Sequence, residues 1–241
     1  MKMNIIYMID FNCPYSYIGL KRLKKASENL NIDVKWEFKP FELEPLTGKR
    51  PTISTAERYT EKYELSYEEA LDRISEIEEI ALDEGLNINF KDMSLTSSKD
   101  ALRLCKFCQD MHPEITLKLV EEIFYSRLVK NENIADIKIL SKIAISCGLE
   151  ETEANKILEN NYYNIEIYLD QEEAVSYGIT ATPCFILNFK EERLIMPGMF
   201  STEEFENTLE DMQNGKIREK TFVWDALTKK FLVFLIFNCI K

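Results

Sequence analysis

The chain has 241 residues, 45% hydrophobic and 30% charged, with a formal net charge of −12; that length and mix describe a globular protein of one large domain, or one domain with an inserted subdomain. The acidic balance argues against unassisted nucleic-acid binding, which needs basic surface to neutralise phosphates. A single histidine, His112, excludes within one chain the mechanisms that need two, such as those of most zinc hydrolases.

The N-terminal MKMNIIYMID runs directly into an apolar stretch of strand length, residues 4–10. It is too short for a signal peptide and has no small-residue cleavage site, so a cytoplasmic protein is expected. In that compartment the six cysteines are free or catalytic thiols rather than a disulfide framework. Pro14 suits the first turn of a helix, where its missing N–H costs nothing, and Ile18, Leu23, Ala26 and Leu30 follow at roughly helical spacing. Residues 33–43 alternate Val34, Trp36 and Phe38 with charged residues, the pattern of a half-buried strand. Strand, helix and strand make a right-handed parallel βαβ unit.

Residues 51–164 change character and read as a helical block. Ser66 and Glu69 form a capping-box pattern ahead of the stripe Ala70, Leu71, Ile74, Ile77 and Ala81, with Gly85 as the stop. Further helices are expected over 98–111, 114–129, 134–147 and 150–160, punctuated by Pro113 and Gly148. A short helix at LDQEEAVSYGIT ends at Gly178. Then come two strands, TPCFILNF and RLIMPGM, joined through KEE as a tight antiparallel hairpin. Ser201 and Glu204 open a last helix. The division is therefore 1–50 with 165–214 as one α/β body, 51–164 as an all-helical insertion, and 215–241 as a tail. The tail's apolar run from Phe231 is about half a membrane span; it reads as an element docked on the body or on a second subunit, or as a membrane-surface segment.

Cys13 stands at the junction from first strand to first helix. A thiol reacts as thiolate, and free N–H groups and the dipole at a helix start favour that charge, so a lowered Cys13 pKa is expected. Pro183 opens the later hairpin, where a cis bond after Thr182 would present backbone edge-on to an incoming peptide or thiol. Cys13 taken alone reads first as a buried structural cysteine; the pairing of junction and X-Pro turns the reading to a functional one.

These segments resemble the DsbA-like branch of the thioredoxin superfamily. DFNCPYSYIG is similar to the D-F-x-C-P-W-C-Y-I-G turn of FrnE-type oxidoreductases and to the D-x-x-S-P-Y-S-Y turn of kappa-class glutathione transferases and 2-hydroxychromene-2-carboxylate isomerases. FKPFEL, IFYSRLVKNENIADIKIL, AVSYGITATPCFIL and PGMFSTEEF extend the resemblance over roughly 4–212. It implies a thioredoxin-like α/β fold with an all-helical insertion and a substrate cleft between the two. Cys13 then matches the attacking cysteine of the oxidoreductases, and also the serine that activates glutathione in the transferases. Ser16 stands where the oxidoreductases carry a resolving cysteine. Without that thiol a mixed disulfide on Cys13 needs an external thiol to release it.

The resemblance implies Cys13, Ser16 and Pro183 as catalytic residues, and Phe11, Asn12, Pro14, Tyr15, Thr182 and Cys184 as substrate-binding residues. It implies thiol–disulfide exchange with protein disulfides or small thiols; the alternatives are a glutathione-dependent transferase or isomerase, and a binding module without chemistry. No tightly bound cofactor is expected, with glutathione or another low-molecular-weight thiol as cosubstrate; no nucleic acid, no membrane span, and a homodimer as one allowed assembly. Cys184 is weighed both as a second thiol for Cys13 and as a core residue. Cys105 and Cys108 form a Cys-x-x-Cys with His112 four residues on, read as core, redox pair or part of a metal site lacking a fourth ligand. Cys147 reads as core. The helix faces SEIEEI and EEFENTLED read as solvated surface, and no Gly-x-Gly-x-x-Gly or phosphate-cradling loop supports nucleotide chemistry.

Overall fold

The computed structural model describes residues 2–216, 220–225 and 230–235. The first strand, β1 (Met3–Ile9), pairs in parallel with β2 (Val34–Pro40), Tyr7 facing Phe38 across the ladder. Helix α1 (Pro14–Asn29) makes the crossover. On the other side of β1, β3 (Cys184–Phe189) runs antiparallel, and β4 (Glu192–Pro197) pairs antiparallel beyond it, giving the order β2-β1-β3-β4. This is the expected α/β, thioredoxin-like arrangement, with an all-helical insertion between β2 and β3.

Side-chain alternation divides the sheet's two faces. Met3, Ile5, Tyr7 and Ile9 of β1, with Phe185 and Leu187 of β3, face the main core against α1 and α9 (Thr202–Gln213). Met8, Cys184 and Ile186 face a smaller core with Phe41, Ile179 and Ala174, the last from α8 (Asn164–Ser176). In α1 the sheet comes close: a Cβ on Gly19 would lie 3.1 Å from the Phe185 ring.

The insertion comprises α2 (Thr55–Tyr63), α3 (Tyr67–Asp83), α4 (Lys99–Met111), α5 (Pro113–Phe124), a π-helical turn (Tyr125–Val129), α6 (Ile137–Cys147) and α7 (Glu151–Leu158). Its Ile74, Ile77, Leu102, Leu119 and Ile123 are almost wholly buried. Each such side chain stabilises by about 1.5–3 kcal/mol, and they join the sheet residues in one continuous core. The insertion is thereby held rigidly against the sheet.

Several boundaries differ from the sequence reading. Helix α2, which the sequence reading passed over, carries the short stripe Ala56, Tyr59 and Tyr63 and opens on a capping box of Ser54 and Glu57, both hydrogen bonds of which form. The expected helix over 114–129 is α-helical only to Phe124, then widens into the π turn. Helix α8 starts at Asn164, earlier than read, because its first turns expose Ile165, Tyr168 and Leu169 and so hide the amphipathic pattern. Two residues, Lys190 and Glu191, join β3 to β4, Lys190 taking a φ of 54°. In the tail, β5 (Lys220–Asp225) and β6 (Lys230–Leu235) pair antiparallel; the rest of the apolar run, with Cys239, lies outside the described residues. Among the described residues no helix is long and apolar enough to cross a membrane.

Candidate active site

Residues 10–13 turn the chain from β1 into α1, and one buried carboxylate shapes that turn. Asp10 accepts hydrogen bonds from the backbone N–H of Asn12 (2.9 Å) and of Leu43 (2.7 Å), while its carbonyl accepts from the Cys13 N–H (3.0 Å). The turn is thus tied to the chain following β2. Burial pushes the Asp10 carboxyl up, opposed by those N–H groups and by Arg127.

Cys13 is the N-cap residue of α1 and is 6% exposed. Its thiol donates to the Thr182 carbonyl oxygen at 3.5 Å, so the sulfur touches the Thr182–Pro183 peptide, which is cis as expected. Ser16 is fully buried, and its hydroxyl finds no hydrogen-bond partner among the described residues. It lies near enough to favour the thiolate, as do the Thr182 side chain and the Ser16 N–H. These groups do not prevail: burial pushes the Cys13 thiol above its ordinary value, and Asp10 adds to the rise. The expected lowered pKa is therefore corrected. Desolvation of the charged form outweighs the hydrogen bonds that Ser16 and Thr182 offer it.

Above Cys13 lies a cleft of about 300 Å³. Asn12, Cys13, Pro14, Tyr15 and Thr182 line it from the sheet body; Arg58, Tyr59, Lys62, Tyr63 and Phe90 line it from the insertion. Five of the nine expected site residues thus meet in one cavity, while Ser16 and Pro183 adjoin lining residues in the chain without lining it themselves. Two expectations fail. Phe11 is 0% exposed and packs edge-on against Phe124 (4.9 Å between centroids), so it belongs to the core rather than to the substrate surface. Cys184 faces the opposite side of the sheet, in the smaller core, where burial pushes its thiol up to about 12. Strand alternation turns it away from Cys13, and it lines no part of the cleft.

The sequence reading passed over Arg127. It sits on the π turn, 1% exposed, and donates to Asn12 Oδ1 (2.9 Å) and to the Ser94 carbonyl (2.7 Å). Asn12 in turn donates to the Thr96 carbonyl (2.8 Å). The residue before Cys13 is therefore clamped from the insertion by a buried cation, whose own pKa burial lowers to about 10. The preceding Phe124 stacks on Tyr17 (5.0 Å) as well as meeting Phe11. A lone arginine within an apolar helical pattern was the available signal.

The second Cys-x-x-Cys motif sits differently. Cys105 and Cys108 are both 0% exposed on α4, and burial pushes both thiols up, Cys108 to about 12. His112 faces Glu153 at 3.2 Å. Among the described residues no group of three or more His, Cys, Asp or Glu is arranged to hold a metal ion.

Comparison with known proteins gives a match to the DSBA-like thioredoxin domain over residues 4–210. The chain is 24% identical over 220 residues to the protein YwbO of Bacillus subtilis (strain 168), described as uncharacterized; the match covers 90% of this chain and all of that one. It is similar in structure to the probable DsbA oxidoreductase SCO1869 from Streptomyces coelicolor, with a TM-score of 0.79, 24% identity, and 89% and 91% of the two chains covered. It is also similar to the cytosolic disulfide reductase DsbM from Pseudomonas aeruginosa, with a TM-score of 0.61, 13% identity, and 88% and 98% covered; a second structure of that protein contains GSH.

Proposed function

Since the chain belongs to the DSBA-like thioredoxin domain family, we propose that it performs thiol–disulfide exchange through Cys13 alone, with an external low-molecular-weight thiol completing the cycle. The observation that carries this is the Cys13 sulfur at the base of a cleft, 3.5 Å from the Thr182 carbonyl, with a serine in place of the second thiol. Cys13 loses its proton and attacks one sulfur of a disulfide RSSR. That S–S bond breaks, Cys13–S–S–R forms, and RSH leaves with the proton. A second thiol then attacks the mixed disulfide, returning Cys13 as thiol and releasing a new disulfide. Neither Ser16 nor Cys184, on the far sheet face, substitutes for that second thiol.

The raised Cys13 pKa bears on direction. A strong disulfide oxidant is one whose reduced thiolate is stabilised; here burial disfavours that thiolate. With a serine where the second thiol would stand, the turn cannot form an internal disulfide to pass on, which suits reduction or thiol transfer better than oxidation of substrates. The Pseudomonas aeruginosa DsbM, a disulfide reductase with this fold that has been solved with GSH, supports the same reading.

The test is intact mass after incubation with oxidised glutathione. One adduct on Cys13, absent in Cys13→Ser and removed by reduced glutathione, is expected. Exchange activity persisting in Cys13→Ser would sink the proposal. A second reading, a glutathione-dependent transferase or isomerase acting on a small aromatic molecule, has the aromatic wall of Tyr59, Tyr63 and Phe90 in its favour; it requires glutathione bound without a covalent adduct.

A further inference from the structure

The cleft over Cys13 is lined by two unlike sets of residues. Tyr59, Tyr63, Phe90, Met93 and Leu95 give it an apolar wall, while Glu44, Arg58 and Lys62 bring charge to its lining. Arg58 donates from Nη2 to both Glu44 oxygens (2.7 and 2.8 Å), and Lys62 donates to Glu44 Oε1 (3.0 Å). Against a burial penalty, Lys62 and Arg58 hold the Glu44 carboxyl below its usual range. One carboxylate thus answers two cations, leaving a surplus positive charge in the cleft. The remaining N–H groups of Arg58 and Lys62 meet no acceptor among the described residues. Arg73, stacked on Tyr63 at 4.6 Å, adds a further cation beside that wall, while Glu57 on the same helix is taken up by its capping box with Ser54.

This surplus stands out on a chain with a net charge of −12, whose overall field repels anions. A cationic pair gathered in the cleft that holds the Cys13 thiol is explained by a ligand that carries negative charge to that thiol. The cavity, about 300 Å³, is at the small end of ligand sites, which fits a small molecule rather than the surface of a folded protein.

We infer that the cleft takes a low-molecular-weight thiol or disulfide bearing a carboxylate, which Arg58 and Lys62 bind while Glu44 holds those two cations in position. The inference rests on the reading of Cys13 as the reacting thiol. The carboxylate accepts the N–H groups that Glu44 leaves free, and the apolar body of the ligand lies along the tyrosine wall with its sulfur toward Cys13. The exchange is the balanced one above, with R carrying the charge.

The test compares second-order rates of the full chain with three symmetrical disulfides of similar length: bis(2-carboxyethyl) disulfide, bis(2-hydroxyethyl) disulfide and cystamine. The dianion is expected to react about tenfold faster than the neutral compound, the size of one partly screened charged contact, with cystamine slowest. In the double variant Arg58→Gln/Lys62→Gln the ratio of anionic to neutral rates falls to about one, while Arg58→Lys, which keeps the charge, preserves the preference. Glu44→Gln raises the ratio by releasing both cations. Equal rates for the anionic and neutral disulfides, or a preference that survives the double variant, would overturn the inference and leave Cys13 exchange standing. No reaction with any of the three, together with no alkylation of Cys13 by neutral iodoacetamide, overturns the reading of Cys13 and this inference with it. A marked preference for a cysteine-containing peptide disulfide lacking acidic residues points instead to a protein substrate and counts against the small acid.

Discussion

The chain contains two segments built on the Cys-x-x-Cys frame, and the one that keeps both cysteines is the one sealed away from any cleft. Cys105-Lys106-Phe107-Cys108 lies inside α4, both sulfurs sealed in apolar core and their thiols pushed up by burial. Cys13-Pro14-Tyr15-Ser16 has a single sulfur, yet it stands at a helix start, touches the Thr182 carbonyl and lines a cleft. Spacing of thiols therefore does not by itself make a redox site. What separates the two is position on the fold: a helix interior offers no free N–H groups to a sulfur and no route for a second sulfur, whereas a strand-to-helix turn offers both.

The sharpest way to break this contrast is to give the N-terminal turn its missing thiol. Ser16→Cys is expected to resolve a glutathione adduct on Cys13 internally, shortening its lifetime by about 100-fold or more through the gain in effective concentration, and to leave a disulfide between Cys13 and the introduced thiol. Under the same oxidation Cys105 and Cys108 remain thiols. Intact mass and peptide mapping after alkylation read both outcomes. A persistent adduct in Ser16→Cys, or a Cys105–Cys108 disulfide in the native fold, would erase the distinction drawn here.

The two regions also differ in what holds them. The cysteines of α4 are set by apolar packing, and the front turn by a polar clamp that crosses from the insertion. Arg127→Met removes the charged donor from Asn12 Oδ1 and from the Ser94 carbonyl. Hydrogen bonds to charged groups are worth about 1.5–3 kcal/mol each, and leaving buried acceptors bare costs more than losing an exposed pair. A loss of about 2–4 kcal/mol in urea unfolding is expected, with a slower rate of exchange at Cys13 because the residue before it is no longer fixed. Arg127→Lys reaches fewer acceptors and recovers only part of either. An unchanged urea midpoint in Arg127→Met would mean that the clamp is incidental.

Much of the front turn was legible because its determinants are local. A strand-length apolar run, a proline at the first helical position, and an X-Pro opening a hairpin each carry their signal within a few residues, and the order of segments carried the fold. What escaped depends on distance or on facing. Arg127 acts across 115 residues of chain on Asn12; its local signal, a lone arginine in an apolar helical stretch, does not name that partner. Phe11 and Cys184 sit beside residues of the Cys13 turn and the Thr182–Pro183 peptide in sequence, but the turn packs Phe11 onto Phe124, and strand alternation sends Cys184 to the other face. Helix α2, which supplies Arg58 and Lys62 to the cleft, was passed over because its nine residues give too short a stripe to stand out. The sign of the Cys13 shift escaped for a related reason: a sequence shows the helix start, but not the burial of the sulfur.

That balance at Cys13 gives the smallest of the expected effects and the finest test of the comparison. Burial raises the Cys13 pKa, and the Asp10 carboxylate contributes to the rise. In the wild type the alkylation rate is therefore expected to keep climbing with pH past the ordinary thiol value of about 8.5, without levelling near neutrality. Asp10→Asn removes a negative charge that disfavours the thiolate, so the rising part of the profile moves to lower pH, and the rate at pH 8 increases about two- to threefold. The amide keeps one acceptor but cannot serve both the Asn12 and the Leu43 N–H groups. Circular dichroism must therefore show the variant folded before its rate is compared. A profile that levels below pH 7 in the wild type would mean that the helix start prevails over burial. One that Asp10→Asn shifts to higher pH would mean that the carboxylate acts on the sulfur by shaping the turn rather than by its charge.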